Sequence, residues 1–404
     1  MKTSITMFPA MNGDCFLIEI GDKMRMLVDT GYVHTYRHHL KPYLTKIAAA
    51  GGQIDLCLIT HIDADHIKGG SNGLFIDNKA SDNPQIIGIN QVWFNAYRHL
   101  PQKTASSETE LSAVDVALLA TMSAPEIENT DEFADSVIGA QMGMSLAKQL
   151  DLYCYLWNTS FDGNAVTAPA TINLTSEITC HVLSPSPDKL EDLIKNWKRD
   201  LRQYGFKSDA TDPLLFEAAY QNWLDSKKEV AEVLADISQP GGDTLDDFLR
   251  QPYVPDDSAA NVSSIAFILE YADKRLLFLA DAAAEVVLEH LIRLFPEANN
   301  TDPVWFDCIK VSHHGSFKNN SPDLMRLTDS DTYLISTNGR IHDHPDAETI
   351  AWIVSRPRRD GTIRKLYFNY HTATSAAFDR PDWKAEKGYE VIHATPESSI
   401  EINI

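Results

Sequence analysis

The sequence predicts a layered α/β fold, and three observations lead there. Strand-like apolar runs alternate with helix-like stretches toward both ends of the chain. Several of those runs stop abruptly in carboxylate or imidazole side chains. Between them, from about residue 101 to 255, the texture changes to acidic segments with helical spacing.

The elements follow in order. Ser4–Phe8, Cys15–Ile20 and Met24–Val28 read as strands separated by the turns Asn12-Gly13-Asp14 and Gly21-Asp22, and the third ends in Asp29-Thr30-Gly31. Tyr36–Ala50 has helical spacing and closes at Gly51-Gly52. Leu56–Thr60 is the next strand and Ile86–Phe94 another. Ser107–Met122, Asp131–Leu150, Leu190–Tyr204, Pro213–Ile237 and Asp243–Leu249 read as helices. Among them Ile172–Leu183 reads as a strand, followed by the breaker Ser184-Pro185-Ser186-Pro187. Ser263–Tyr271 and Arg275–Leu279 form a hairpin around Ala272-Asp273-Lys274, and Ser399–Ile404 reads as a final edge strand. The expected division is residues 1–100 as the first part of one α/β domain, 101–255 as an acidic, mainly helical insertion or cap, and 256–404 as the second part.

With 404 residues, 44% of them hydrophobic, the chain can bury a large core. Its formal net charge is −22, and residues 101–260 hold 27 acidic against 11 basic side chains. Such a face repels an extended duplex, because nucleic-acid affinity rests on neutralising phosphates. A nucleic-acid substrate would have to enter locally. Arg356, Arg358, Arg359, Arg364 and Lys365 form one basic cluster that could meet it, and they read equally well as a solvated helix end and turn. The five cysteines lack any Cys-x-x-Cys pair, which argues against a disulfide framework and a thiolate zinc cluster. No signal-peptide core opens the chain, and no run approaches the roughly 18 apolar residues of a membrane span, so a cytoplasmic protein without membrane contact is expected.

The stretch His61-Ile62-Asp63-Ala64-Asp65-His66 places four metal-competent side chains within six residues, directly after the apolar run Leu56–Ile59. Two carboxylates and two imidazoles at this spacing point to a dinuclear metal site more than to a charged loop. Leu276–Ala280 ends in Asp281, Cys308–Val311 ends in Ser312-His313-His314-Gly315-Ser316, and Tyr333–Ser336 leads to His342-Asp343-His344-Pro345. Ligands collect beyond the strand ends of open α/β sheets, so these groups fit one site. Elsewhere the bland reading wins. His34, His38 and His39 read as partly exposed helix positions, the isolated tryptophans 93, 197, 223 and 305 as core or interface, and Gly241-Gly242 as a linker.

These motifs resemble the metallo-β-lactamase superfamily, whose second motif is His-x-His-x-Asp-His. They are most similar to the soluble hydrolase domain of the ComEC/Rec2 competence proteins, in which Asp replaces the second His, as Asp63 does here. The resemblance rests on Gly13–Ile18, Val28–Gly31, Thr60–Gly70, Phe278–Ala282, Lys310–Ser316 and His344-Pro345, and covers about residues 1–95 and 260–375. It implies a four-layer αββα sandwich with two divalent metal ions at its edge. His61 and Asp63 would hold one ion and Asp65 and His66 the other, with Asp281 bridging both. His313 or His314, with His314 preferred, would complete the second ion. Asp29 would orient the ligand loop. The superfamily's third-motif histidine has no clear match, since only His99 and His181 lie in that interval.

The oxygen-richer set shifts preference from zinc toward manganese or magnesium without deciding it, so zinc or manganese is expected. Water activated between the two ions would attack an electrophilic centre, with Asp65, Ser316 and His344 in catalytic positions and His344 able to protonate a leaving group. The leading expectation is a phosphodiesterase or nuclease acting on a single strand or a small nucleotide. Hydrolysis of an ester, thioester or lactone is the second. The third is a regulatory subunit of a multi-gene bacterial system, such as antiphage defence, with the acidic insertion docking a protein partner.

Overall fold

The computed structural model describes residues 2–100, 111–122, 146–207, 216–217, 219–220, 223, 244–256, 258, 260–341, 343–359 and 361–404. The first sheet contains β1 (Thr3–Met7), β2 (Phe16–Ile20), β3 (Met24–Val28), β4 (Leu56–Leu58) and β5 (Val92–Trp93), with the C-terminal β16 (Ile400–Asn403) added at the edge beside β1. It is antiparallel from β16 to β3 and parallel from β3 to β5. The second sheet has eight strands. β15 (Tyr389–His393), β14 (Arg364–Phe368), β13 (Thr332–Ile335), β11 (Cys308–Lys310) and β9 (Lys274–Phe278) run parallel, and β8 (Ala266–Tyr271), β7 (Ile178–Ser184) and β6 (Ala170–Asn173) continue antiparallel. A separate parallel pair joins β10 (Val304–Phe306) to β12 (Thr328–Ser330).

Strand periodicity explains the layering. On β2, Phe16, Ile18 and Ile20 point between the sheets and Leu17 points out; on β9, Leu276 and Phe278 point in and Leu277 points out. Both faces are apolar because both are covered. Three cores result. One lies between the sheets, one on the outer face of the first sheet beneath Leu40, Leu44 and Phe75, and one on the outer face of the second beneath Val287, Leu291, Ile350 and Val354. The arrangement is the expected αββα sandwich, a mixed α/β fold.

The structure refines several expected elements. Tyr36–Ala50 is helical, but Tyr36–Leu40 makes a widened π turn before Lys41–Ala49. Ile86–Phe94 yields only the two-residue β5, because the Ile86 and Ile87 N–H groups donate to the Asn78 side chain and not to a strand. Residues 170–184, expected inside the insertion, form the hairpin β6–β7 and extend the second sheet beside β8. Their alternating burial lets Ile178, Cys180 and Val182 fill the core between the sheets.

The helices Ala113–Met122, Leu146–Leu152 and Pro187–Gln203 fall within expected or nearly expected ranges, whereas residues 107–110, 131–145 and most of 213–237 lie outside the described residues. Pro187–Gln203 carries an apolar stripe of Leu190, Leu193, Ile194, Trp197 and Leu201, and packs it into the core over the first sheet. Trp93, Trp197 and Trp223 are core residues, as expected. Among the described residues no helix is long and apolar enough to cross a membrane.

Candidate metal centre

The parallel strands bring their carboxyl ends to one edge, where the two sheets are tied by hydrogen bonds. The Ile265 N–H donates to the Thr60 carbonyl at 2.9 Å, the Ser336 hydroxyl to the Gly13 carbonyl at 2.6 Å and the Asn369 amide to the Phe8 carbonyl at 3.2 Å. β4 feeds His61 to His66 into this edge, β9 feeds Asp281, and β11 feeds His313 and His314. Asp63 stands at the N-cap of the helix Ala64–Gly69, yet its carboxylate makes no capping bond. A cap contributes about 1 kcal/mol, so an Asp that forgoes it is committed elsewhere. Gly13 is required by proximity, because a Cβ there would collide with the Asp65 carbonyl.

His313 and His314 both adopt left-handed backbone conformations (φ 43° and 53°). Such strain persists only where surroundings enforce it. Here the His313 N–H donates to the Ala280 carbonyl at 2.8 Å, the Ser312 hydroxyl to the Ala282 carbonyl at 2.8 Å, and the Asn320 amide to the Ser312 carbonyl at 2.8 Å.

Four imidazoles converge on one oxygen. The Nε2 atoms of His61, His66, His313 and His314 lie 3.8, 3.3, 3.8 and 3.5 Å from Asp281 Oδ2. His61 Nε2 is also 3.2 Å from Asp63 Oδ2, and His314 Nε2 is 3.2 Å from Asp65 Oδ2. Each ring is held from behind through Nδ1: His61 against the Thr60 hydroxyl at 3.0 Å, His66 against Asp29 at 2.8 Å, His313 against Asn319 at 2.8 Å and His314 against the Ser336 carbonyl at 2.9 Å. Asp29 also accepts from the Thr60 N–H and hydroxyl, both at 2.8 Å, which is the orienting arrangement expected of it.

Among the described residues, the four Nε2 atoms and both oxygens of Asp281 are buried without a hydrogen-bond partner. Buried polar groups are normally satisfied. Donors about 2.0 to 2.1 Å from one tetrahedral cation stand about 3.3 Å apart, which is the spacing seen here. The donor set therefore fits divalent cations.

Charge leads the same way. Asp14, Asp29, Asp63, Asp65 and Asp281 are all buried, and Lys310 is the buried ammonium among them. The four negative charges left over are what two divalent cations would neutralise. Burial opposes ionisation of Asp281, but His66, His314 and His313 hold its carboxyl well below the usual range. Against burial, Asp281, Asp29 and Asp65 raise His66 well above an ordinary imidazole, and Asp281, Asp14 and Asp65 raise His314 to about 9. Burial dominates at His313, which falls to about 4.

His344 lies at the rim, its ring 5.6 Å from that of His313 and its Nδ1 3.0 Å from Asp346. Ser316 is buried; its N–H donates to the His313 carbonyl and its own carbonyl accepts from Asn320. The two third-motif alternatives have other partners. His99 Nδ1 accepts from the Ala96 N–H, and burial lowers its ring to about 4. His181, on β7, contacts Thr171 and Glu270 at 3.0 Å each.

The expected basic cluster is corrected. Arg364 is buried, pairs with Asp329 at 2.7 Å and donates to the carbonyls of Ser330, Ile353 and Arg356. Arg356 is buried 3.5 Å from Asp329, and Arg359 stacks 3.6 Å over Trp305. Sequence spacing shows a run of positive charge, but β14 turns Arg364 inward. Asp14, Lys310, Asp256 and Asn319 surround the cluster and were not singled out by sequence as site residues, although Asp14 follows the Gly13 turn and Lys310 precedes the paired histidines.

Residues 9–75 match the Metallo-beta-lactamase superfamily model. The matched stretch holds Asp14, Asp29 and the His61 to His66 loop. A search of curated proteins gives no match. Among solved structures, the metallo-β-lactamase fold protein YhfI from Bacillus subtilis is 9% identical, with all of both chains covered and a TM-score of 0.39. Zn(2+)-bound PqqB from Methylobacterium extorquens is 9% identical over 99% of this chain and 100% of its own, with a TM-score of 0.38. A long form RNase Z from yeast is 9% identical over 97% of this chain and 47% of its own, with a TM-score of 0.35.

Proposed function

We propose that this protein is a hydrolase of the metallo-β-lactamase superfamily, a two-cation phosphodiesterase of the ComEC-like kind, and the observation that carries the reading is the convergence of four imidazole Nε2 atoms on Asp281 Oδ2. His61, Asp63 and His313 would hold one cation, and Asp65, His66 and His314 the other, with Asp281 shared. His313 thereby supplies the imidazole that the sequence lacks at the third motif. Zinc or manganese suits this mixed nitrogen and oxygen set. When bound, such cations lower the pKa of a water and stabilise charge on the attacked group.

The chain's own residues do the rest. Asp29, Thr60, Asn319 and Ser336 fix the rings so that no side chain must reorganise during reaction. His344, aligned by Asp346 at the rim, would give a proton to the departing oxygen. Ser316, beside the paired histidines, is the residue we assign to the substrate's non-bridging oxygens. Since Arg356 and Arg364 are committed to Asp329, support for a long nucleic-acid track falls away, and a small or single-stranded phosphodiester is favoured. Turnover of a chromogenic phosphodiester, single-stranded DNA, RNA and cyclic nucleotides should be measured beside a thioester and a lactone. Phosphodiester cleavage that stops on chelation is expected. Cleavage of the thioester or lactone alone would refute the proposal.

A further inference from the structure

Two buried groups at the site are left without a role by the proposed ligand sets. Lys310, at the end of β11, is fully buried, which lysine tolerates only when paired. Its ammonium forms an ion pair with Asp14, donates to the Ala280 carbonyl at 3.1 Å and lies 3.9 Å from Asp281 Oδ1. Asp14 in turn donates its backbone N–H to the Asp65 carbonyl at 3.2 Å, and its Oδ1 is 3.5 Å from His314 Nδ1. One ion pair therefore touches the loops that carry Asp65, Asp281 and His314, drawn from the two ends of the chain.

Asp14 is not itself well placed as a ligand. Its carboxylate groups with His66, Asp281 and His314 within 4.8 Å, but it meets the Nδ1 edge of His314, which already faces the Ser336 carbonyl, whereas Asp65 meets Nε2. The two oxygens of Asp281 also differ. Oδ2 faces four imidazoles, and Oδ1 faces the ammonium.

We propose that the Asp14–Lys310 ion pair is a positioning latch for the second cation, turning Asp281 so that Oδ2 is the shared ligand and holding Asp65 and His314 around one ion. This rests on the two-cation reading above. The latch and plain electrostatics predict opposite signs. An ammonium beside a cation repels it, so if charge alone mattered, removing Lys310 would tighten binding.

The test is calorimetric titration of the cation-stripped full-length protein with manganese chloride, for the wild type, Lys310→Met, Asp14→Asn and the double variant, each checked for folding by thermal unfolding. The wild type should bind two ions. Each single variant should keep the first affinity and bind the second about 10- to 100-fold more weakly, the usual effect of removing a group that supports a ligand. The double variant should not recover. Should Lys310→Met fail to fold, Lys310→Gln, which also removes the ammonium, carries the same comparison. Unchanged or tighter second-ion binding in the single variants overturns the latch while the two-cation reading stands, as does recovery in the double variant. A wild type that binds neither manganese nor, in a parallel titration, zinc overturns both.

Discussion

Protonation of His314 competes with a cation for Nε2, and its surroundings set the size of that competition. Burial alone would lower this ring, but Asp281, Asp14 and Asp65 raise it from 6.5 to about 9. A ligating imidazole must be neutral. Well below about 9 each pH unit therefore costs about 1.4 kcal/mol of apparent affinity, and since the ring is half protonated at pH 9, moving from pH 9 to pH 7 should weaken the second cation about 50-fold. His66, raised by Asp281, Asp29 and Asp65 against burial, adds to the steepness. Zinc and manganese titrations at pH 7, 8 and 9, each in two buffers of different protonation enthalpy, measure affinity and protons released together. At least one proton should leave per second cation bound at pH 7. An affinity flat across this range, with no proton released, would refute the assignment of His314.

The same ring governs the stability of the cation-stripped protein. Its folded value lies above that of a free imidazole, so its contribution is complete below pH 6.5 and lost as pH rises through about 9. The unfolding temperature should fall across that interval, and saturating cation should suppress the fall. Asp29→Asn keeps the shape but removes the charge behind His66, and should weaken cation binding about 10- to 100-fold in the same titration. Arg364→Met leaves Asp329 without its closest cation and should cost about 3 to 5 kcal/mol in chemical denaturation, with cation content unchanged. Lost nucleic-acid affinity at unchanged stability would instead restore the basic segment as a binding track. His99→Gln should leave cation content unaltered, because that ring serves the Ala96 N–H.

What sequence could read depended on whether a residue's role was set locally. Asp63, Asp65 and the two histidines around them announce themselves because a strand and a ligand run are contiguous, and Asp281 does so because an apolar run stops at it. That both His313 and His314 face Asp281, where sequence left open which of them does, was illegible. It depends on two consecutive left-handed residues folding both rings toward Asp281, a tertiary constraint with no local signature. Lys310 looked like an ordinary strand residue, and only the approach of the Asp14 turn from the other end of the chain makes it part of the site. Arg364 misled in the opposite direction, because charge counted along the sequence carries no information on which side of β14 faces Asp329. Ile172–Leu183 is legible as a strand, but its place in the second sheet is not, because its acidic, helical neighbours mark the region as an insertion.

The proposed chemistry depends on Asp281 being shared by two cations. Metal analysis of the purified protein and of Asp281→Asn, both folded and equilibrated with the same zinc or manganese buffer, tests it most directly. Two ions per wild-type chain and at most one in the variant are predicted, with hydrolysis lost in parallel. Equal metal content in the two proteins, or none in the wild type, would contradict it.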